Sequence, residues 1–286
     1  MGSSTIRNID LSSGRSLQFG GRALVMGIVN CTPDSFYPSS RNVGVENAIS
    51  TALRMIEEGA DALDFGGEST RPGAEYIGAA KQVERVAPVI EAIRGRSNIP
   101  ISVDTRIAEV ADASLASGAD IINDVSGLRD DPDMRSLAAR RGAPVIIMHM
   151  RGTSQTMQHD PSYHDTISEI KAELSDCIDV AMTAGISRER IIVDPGIGFG
   201  KRIEDNLKIV GDIDAIGALG YPVLLGLSRK SFIDRVLDRP VEDRLTGTLA
   251  AEAWAVVRGV EMLRVHDVAE TVDLVRMLEA IRLAVL

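Results

Sequence analysis

The chain has 286 residues, of which 44% are hydrophobic and only 3% aromatic, and its formal net charge is −10. This length and aliphatic content are enough for one large core, and they suit parallel strands that are buried on both faces. The acidic balance argues against nucleic acid as a partner, whereas a small anion can still bind where arginine and lysine gather locally.

Cysteine usage and hydropathy exclude several further classes of protein. Cys31 and Cys177 lie far apart without a CxxC motif, so neither a disulfide framework nor a zinc site is predicted. No apolar run reaches the roughly 18 residues that cross a membrane. Residues 1–8 lack the apolar middle of a signal peptide. We therefore expect a cytoplasmic protein with no membrane partner.

Residues 9–22 predict a small hairpin, because Leu11, Leu17 and Phe19 surround glycine-rich turns. From Leu24 onward short apolar runs alternate with amphipathic segments, and a polar residue follows each run. The predicted strands are 24–29, 60–63, 99–103, 119–122, 144–148, 191–193, 223–227 and 260–263, followed by Asn30, Asp64, Asp104, Asn123, His149, Asp194, Ser228 and Arg264. We divide the chain into an N-terminal segment with the hairpin, 1–22, and a single domain, 23–286.

The segments between the runs carry apolar residues at helical spacing. The stripes are Val45, Ile49, Leu53 and Ile56 before Gly59; Val83, Val86, Ile90 and Ile93; Ile167, Ile170, Leu174 and Ile178; and Leu207, Val210 and Ile213. Eight strand–helix units predict an α/β protein with a closed parallel (β/α)8 TIM barrel. The alternative is a doubly wound sheet, which the lack of a dinucleotide glycine motif after the first run disfavours.

In such a barrel the carboxyl ends of the strands converge on one mouth, so the polar residues that follow the runs share a pocket. This places the acids Asp64, Asp104 and Asp194 together with Asn30 and Asn123. Recessed carboxylates favour a ligand with several N–H donors, such as a flat nitrogen heterocycle. The structural alternatives are a helix cap at Asp104 and a turn acid at Asp194.

A second set is cationic and consists of Arg71, Lys230, Arg264 and His266. Arg71 lies in a polar loop that leaves its strand through the glycines at 66–67, which is the layout of a binding site. Arg264 and His266 point the same way along an extended segment. The set predicts a site for a diphosphate or a carboxylate. The alternatives are a solvated loop position for Lys230 and a rim position for His266.

Two further loops complete the predicted pocket. Residues 194–201 have the glycines of a phosphate loop, but Arg202 follows Lys201 where serine or threonine is needed, so we reject that interpretation. The glycines instead let Phe199 wall a flat ligand, with simple packing as the alternative. Asn30 is predicted to hold Mg²⁺ through its side-chain oxygen alongside ligand phosphates, with a backbone-satisfying role as the alternative.

A series of ordered motifs resembles those of the dihydropteroate synthase family, from about Arg22 to the C-terminus. The motifs are 26–36 (MGIVNCTPDSF), 66–73 (GGESTRPG), 101–105 (ISVDT), 122–125 (INDV), 148–150 (MHM), 194–201 (DPGIGFGK), 228–231 (SRKS) and 264–267 (RVHD). The resemblance implies a transferase of folate biosynthesis. Its reaction joins 7,8-dihydropterin-6-ylmethyl diphosphate to p-aminobenzoate, with release of diphosphate and formation of 7,8-dihydropteroate.

The resemblance also implies roles for single residues. The implied pterin ligands are Asp104, Asn123, Asp194 and Lys230, with Asp64 nearby. The implied diphosphate ligands are Asn30, Arg71, Arg264 and His266, with Mg²⁺ on Asn30 as the cofactor. The aminobenzoate pocket is implied at Thr70, Pro72, Phe199 and Ser228, and Met148 and Gly226 complete the substrate-binding set. The residues we expect to carry catalysis are Asp104, Asp194, Lys230 and Arg264.

The implied mechanism is dissociative, since the bond to diphosphate breaks before the arylamine attacks and no protein nucleophile is required. The alternatives are a pterin-dependent methyltransferase, a non-catalytic pterin-binding paralogue and, more weakly, a Schiff-base aldolase at Lys230. The resemblance further implies a homodimer, for which residues 248–257 and 272–286 carry apolar surface.

The sequence departs from the family pattern in its first loop. After Phe36 the family usually has Ser-Asp-Gly-Gly, whereas this chain has Tyr37-Pro38-Ser39-Ser40. The loss of the second acid and of both glycines predicts a loop that closes differently, and from it an altered selection of aminobenzoate. An inhibition curve with a sulfonamide, a class of inhibitor that the resemblance implies, tests this hypothesis. Cys31 in place of the usual valine is a smaller change.

Overall fold

The computed structural model describes residues 6–11, 14–32, 41–68, 76–153, 156–157 and 159–285. Two antiparallel strands, β1 (Arg7–Asp10) and β2 (Ser16–Phe19), form the predicted N-terminal hairpin. The parallel strands that follow are β3 (Leu24–Asn30), β4 (Ala62–Gly66), β5 (Ile101–Asp104), β6 (Ile121–Asp124), β7 (Val145–Met148), β8 (Ile191–Asp194), β9 (Leu224–Leu225) and β10 (Met262–Val265). The predicted domain boundary between residues 22 and 23 stays a prediction.

The parallel strands lie side by side in the order β8-β7-β6-β5-β4-β3-β10-β9. An isolated parallel bridge joins Val193 of β8 to Val223, just before β9, and so brings the two ends of this order together. The last strand, β10, pairs with the first, β3. The predicted (β/α)8 TIM barrel is therefore confirmed.

Helices surround the barrel. Those in the described part of the chain are α1 (Arg41–Glu57), α2 (Ala79–Arg94), α3 (Ala108–Ala116), α4 (Asp133–Arg141), α5 (Thr166–Thr183), α6 (Ile203–Gly211), α7 (Ile213–Gly217), α8 (Ser231–Leu237), α9 (Leu245–Val257) and α10 (Val268–Ala284). Short 3₁₀ turns span Arg188–Arg190 and Val241–Asp243. Within these described ranges, no helix has both the length and the apolar character that crossing a bilayer requires.

The predicted apolar stripes face the barrel, with one error. Most residues of the α5 and α2 stripes are buried. The predicted stripe of α1 is partly buried and lies beside a deeper stripe made of Ala48, Ala52 and Met55. Leu207 was predicted to be buried, but it is 45% exposed. Its helix, α6, turns Asn206 and Ile209 inward, so Leu207 points away from the barrel.

Two predicted strand limits are also corrected. β4 runs to Gly66, which pairs with Asp104, so Asp64 lies within the strand and not at its end. The predicted strand at 223–227 contains only a two-residue regular ladder, Leu224–Leu225, because Val223 makes an isolated bridge and the chain turns before Ser228. Neither change moves the polar residues away from the mouth.

The amino-terminal end of the barrel is closed by the hairpin. Apolar hairpin residues and the first inward residues of the strands form one cluster: Ile9, Leu11, Leu17 and Phe19 with Leu24, Met26, Ala62, Ile121, Ile146, Ile192, Leu224 and Met262. The hairpin therefore fills the bottom of the barrel and leaves the opposite end free for a site.

Candidate active site

The barrel interior changes from apolar to polar towards the carboxyl ends of the strands. On most strands, an inward apolar residue belongs to the cluster that the hairpin covers. Because side chains alternate along a strand, the residue two positions further along also faces the barrel interior. These residues are Asp64, Asn123, Met148, Asp194, Gly226 and Arg264, all of them predicted site residues. Asp104 lies one step nearer the mouth, since the register partner of Asp64 on β5 is Ser102.

Asp64 is the most deeply buried acid of this group. Its side chain is fully buried, and its Oδ2 accepts hydrogen bonds from Asn123 Nδ2 at 3.0 Å and from Arg264 Nε at 2.6 Å. The other oxygen, Oδ1, is buried and has no hydrogen-bond partner among the described residues. A buried acceptor without a donor costs about 1–3 kcal/mol, so a ligand N–H at this oxygen would be stabilising.

Asp104, on β5 next to the strand of Asp64, shares the guanidinium of Arg264 with Asp64. Arg264 Nη2 donates to Asp104 Oδ2 at 2.8 Å, so one arginine bridges two carboxylates. Burial raises the pKa of Asp104 to about 7, although Arg264 opposes the shift. This carboxyl therefore favours the folded state at low pH, and that contribution is lost as the pH rises through about 7. The alternative of a helix cap is wrong, because Asp131 accepts the first N–H of α3, from Ala108.

Asp194 enters the group from β8 and is 6% exposed. Its Oδ1 accepts the N–H of Gly196 at 2.7 Å, so the residue does serve as a turn acid. Burial raises the pKa of Asp194, and the nearby charge of Lys230 opposes the shift. Asp194 is thus both a turn residue and an electrostatic partner of Lys230.

The ammonium group of Lys230 turns into the pocket and not into solvent. It donates to the carbonyl oxygen of Ile197, and its Nζ lies 4.9 Å from the centroid of the Phe199 ring, within cation–π range. Burial lowers the pKa of Lys230 to about 8, and Asp194 opposes the shift. The Phe199 ring packs against an apolar cluster of Val125, Met148, Met150 and Met157. The ring is therefore both a packing element and a wall beside a cation.

Arg229, directly before Lys230, points the other way. Its Nε donates to Asp267 Oδ2 at 2.9 Å, and its φ of 57° lies in the left-handed region that residues with a side chain rarely adopt. Thr248 Oγ1 accepts its N–H at 3.1 Å, and Arg244 Nη1 donates to its carbonyl oxygen at 3.0 Å. These contacts hold the turn that sends the two neighbouring cations in opposite directions.

Two other predicted cations, His266 and Arg264, lie in the described part of the chain and have hydrogen-bond partners there. His266 Nδ1 lies 3.0 Å from Ser228 Oγ, which also accepts the N–H of His266 at 3.2 Å. Arg264 lies among the carboxylates, because a partly buried guanidinium is stabilised by the nearest acids, here Asp64 and Asp104. Its role towards a diphosphate stays a prediction.

Some predicted site residues lie outside the described part of the chain. These are Thr70, Arg71, Pro72 and the loop Tyr37-Pro38-Ser39-Ser40, and their roles stay predictions. Asn30, the predicted metal ligand, is exposed at the carboxyl end of β3, where it pairs in register with Gly66. Its position at the strand end is the one that the sequence predicts.

Two buried polar residues that the sequence interpretation did not assign lie beside the site. Ser102 precedes Asp104 by two positions on the same strand face, and its Oγ is buried without a partner among the described residues. Lys201 is 3% exposed, and its ammonium group is held by His149 and Phe199. The alternation of side chains along β5 predicts that Ser102 faces the same way as Asp104. The residues around Lys201, by contrast, do not indicate that this lysine is buried.

Comparison with known proteins supports the same interpretation. A family model described as Pterin binding enzyme matches residues 26–266. The dihydropteroate synthase of Bacillus subtilis is 42% identical over 265 residues, which are 93% of this chain and 90% of that protein.

Solved structures give the same result. The Xanthomonas albilineans dihydropteroate synthase with 4-aminobenzoic acid has a TM-score of 0.91 at 43% identity, and the match covers 97% of this chain and 99% of that one. The structure from the same organism in complex with 7,8-dihydropteroate has a TM-score of 0.85 at 39% identity, covering 96% and 98%. The predicted family is confirmed: this chain belongs to the pterin-binding enzymes and, among them, to the dihydropteroate synthase family.

Proposed function

We propose that this protein condenses 7,8-dihydropterin-6-ylmethyl diphosphate with p-aminobenzoate and forms 7,8-dihydropteroate and diphosphate. The names of its relatives support this activity. The observation that carries the proposal is the cluster of Asp64, Asp104, Asn123 and Arg264, in which one carboxylate oxygen has no partner within the described part of the chain. Such a cluster suits a flat heterocycle with amino and ring N–H donors.

The acids and the amide orient the pterin. Asp104 and Asp194 accept N–H groups of the heterocycle, and Asn123, already fixed by its bond to Asp64, contributes an amide. The Arg264 guanidinium bridges Asp64 and Asp104 and so holds the two carboxyl groups next to each other. Rigid acceptors of this kind hold the substrate without further reorganisation.

The reaction proceeds by dissociation. The C–O bond between the pterin methylene and the diphosphate breaks, and the electron pair leaves with the diphosphate. The methylene cation is stabilised by the pterin ring, whose N–H groups are held by Asp104 and Asp194. The arylamine nitrogen of p-aminobenzoate then forms the new C–N bond and releases one proton. The protein contributes orientation and charge, and none of its side chains becomes covalently attached.

The aminobenzoate side of the pocket is formed by the loops after β8 and β9. The Phe199 ring supplies a flat wall, and the ammonium group of Lys230 lies against it. Ser228 and His266, which are hydrogen-bonded to each other, add polar groups at the rim for the two anions of the reaction. We assign Phe199 and Ser228 to the aminobenzoate and His266 to the diphosphate.

Mg²⁺ is the proposed cofactor, with Asn30 as its protein ligand. Among the described residues no group of three or more His, Cys, Asp or Glu side chains is arranged to hold a metal ion. One amide oxygen together with substrate phosphates nevertheless fits Mg²⁺, which keeps several waters and uses few protein ligands. When bound, the ion would neutralise charge on the departing diphosphate. Asn30 would orient that ion at the end of β3.

The activity should depend on pH in a bell-shaped manner. Asp104 must be ionised to accept a pterin N–H, and Lys230 must be protonated to stabilise an anion. Because burial raises the pKa of Asp104 to about 7 and lowers that of Lys230 to about 8, kcat/KM should rise through the first value and fall through the second. Initial rates of diphosphate release between roughly pH 5 and pH 10, about two units beyond each limb, measure both limbs.

The acid limb has a matched control. Asp104→Asn should remove the acid limb and lower the rate at every pH, whereas Asp112→Asn, on the exposed surface of α3, should keep both limbs. An acid limb that persists unchanged in Asp104→Asn would show that another group is responsible.

We also propose that the protein is a homodimer that associates through α9 and α10. Large apolar side chains are exposed on both helices, with Trp254 54% and Val257 69% exposed on α9, and Met277 63% and Ile281 54% on α10. Exposed apolar patches of this kind commonly mark association surfaces. Sedimentation velocity should give twice the chain mass for the wild type and the chain mass for Trp254→Glu.

The dimer prediction is controlled by Val180→Glu. Val180 is 42% exposed on α5, away from the proposed interface, so this variant should remain a dimer. A wild-type monomer at micromolar concentration, or a Trp254→Glu variant that keeps the dimer mass, would contradict the proposed surface.

One assay distinguishes the proposed function from its alternatives. Diphosphate release is measured with the pterin diphosphate in the presence and absence of p-aminobenzoate, and with and without Mg²⁺. The proposed function requires release that depends on both, together with formation of dihydropteroate. Calorimetric binding of pterin without any turnover would favour a non-catalytic paralogue, and methyl transfer to a corrinoid would favour the methyltransferase.

We place the reaction in the cytoplasm. Both cysteines, Cys31 and Cys177, are free thiols, which a reducing compartment preserves. Cell fractionation with an antibody against the chain tests this assignment.

A further inference from the structure

A buried lysine behind the site has no part in the mechanism described above. Lys201 is 3% exposed, and its Nζ is hydrogen-bonded to the carbonyl oxygen of Phe199 at 3.0 Å, to that of His149 at 3.3 Å and to His149 Nδ1 at 2.9 Å. An ammonium group has three donors and no acceptor, so these three partners satisfy it completely. Burial nevertheless lowers the pKa of Lys201 to about 7, and the charge of Asp194 opposes the shift.

The partners of Lys201 fix the tautomer of His149. His149 Nε2 lies 2.9 Å from Glu173 Oε2, and because a carboxylate can only accept, the ring proton lies on Nε2 and Nδ1 accepts from Lys201 Nζ. Burial lowers the pKa of His149 to about 4, which keeps the ring neutral, and the hydrogen bond from His149 lowers that of Glu173 to about 2. A neutral imidazole thus links a buried cation to a carboxylate on α5.

The same contacts join two loops of the mouth. His149 follows β7 and Phe199 follows β8. The backbone N–H of His149 donates to the backbone carbonyl oxygen of Asp194 at 2.8 Å. Tyr163 also donates to the carbonyl oxygen of Gly200 at 2.9 Å. A Cβ at position 196 or 200 would collide with the carbonyl oxygen of His149 or Arg151, so only glycine permits this backbone approach.

We propose that Lys201 is a positioning residue for the aminobenzoate step: it joins the loop after β7 to the loop after β8 and thereby fixes Phe199 in the pocket wall. The Phe199 carbonyl is held by Lys201, and its ring is held by the apolar cluster around Met148, so both ends of the residue are fixed. This inference rests on the proposed condensation. Lys201 would thereby help to determine the position of the second substrate, which the acids that bind the pterin do not determine.

The test separates the two substrates. Lys201→Met removes the three donors at similar length, and it should raise KM for p-aminobenzoate about tenfold while kcat and the Kd of the pterin change little. Lys208→Met, the same substitution at an exposed position of α6, should leave all three unchanged. Equal losses in kcat and in pterin affinity would overturn the proposal, because Lys201 would then support the whole mouth.

A double-mutant cycle tests whether Lys201 acts through Phe199. If it does, Lys201→Met should add little to the KM increase of Phe199→Ala, whereas a general structural role would make the two effects additive. Lys201→Gln, which retains a donor for the Phe199 carbonyl, should recover part of the loss. If both Lys201 variants fail to fold, the residue is required for folding and the proposal is wrong.

A failure of the positioning role can be distinguished from a failure of the proposed function. If the wild type does not form dihydropteroate, the function fails, but calorimetric titration of p-aminobenzoate onto protein loaded with pterin and diphosphate still measures the second substrate's affinity. A weaker affinity in Lys201→Met, with pterin affinity retained, would support the positioning role without turnover. Equal affinities in the two proteins would refute it.

Discussion

Replacing Arg264 by methionine should lower kcat/KM for the pterin diphosphate by about two to four orders of magnitude, since breaking a buried ion pair costs about 3–5 kcal/mol. The guanidinium lies 2.6 Å from Asp64 and 2.8 Å from Asp104, and these carboxylates are 0% and 8% exposed. Without the arginine the pKa of Asp104, which burial already raises to about 7, would rise further, because the charge of Arg264 opposes that shift. The oxygens of Asp104 would then be poorer acceptors for the heterocycle. Steady-state kinetics and pterin calorimetry measure the effect.

Two controls accompany this variant. Arg264→Lys keeps the charge but cannot donate to both carboxylates in one geometry, so an intermediate loss is expected. Arg258→Met removes an arginine of a surface pair with Asp214, and such pairs contribute about 0–1 kcal/mol, so its kinetics should match the wild type. An Arg264→Met protein that binds pterin with unchanged affinity would show that the cluster is not the pterin site.

Truncation of Phe19 to alanine should lower the free energy of unfolding by about 3–5 kcal/mol, the usual cost of deleting a fully buried phenylalanine ring. Phe19 is 0% exposed and lies in the cluster at the bottom of the barrel. Because this cluster is at the end opposite the mouth, kcat/KM of the protein that remains folded should not change. Urea unfolding followed by circular dichroism measures the loss, with activity assayed at a temperature where both proteins are folded.

The neighbouring residue Gln18 provides the control for Phe19. It lies on the exposed side of the same strand, so Gln18→Ala should change the stability by less than about 0.5 kcal/mol. The hairpin is also tied to the barrel by Arg7, whose Nη2 lies 2.8 Å from Glu261. If Phe19→Ala lost activity while keeping its stability, the hairpin would have a role at the mouth that its position does not suggest.

Several features of the site could be predicted because they follow from strand periodicity. Inward positions recur at every second residue, and the mouth lies at the carboxyl ends of the strands, so Asp104, Asn123 and Asp194 could be placed together before any coordinates. Family resemblance added Met148 and Gly226, and the same alternation explains why both belong to that layer. The hairpin was predicted from its alternating apolar residues and turns.

Other features depend on groups that meet only in space. Arg264 was assigned to an anion, yet it bridges Asp64 and Asp104, because the pairing of a charge depends on which carboxylates surround it after barrel closure. Arg229 and Lys230 are adjacent, and the positive φ of Arg229 separates them. No local pattern encodes either fact.

The amino-acid sequence by itself determined the alternation of strands and helices, the barrel and the identity of the acids at its mouth. These properties follow from hydrophobic periodicity and from residue order, which are local. Only the tertiary structure decided that Asp64 keeps a buried oxygen without a partner among the residues that the structure describes, and that Lys201 is held behind Phe199 by His149. Burial and hydrogen-bond partners are set by backbone packing between distant units, so they are defined only once the barrel has closed.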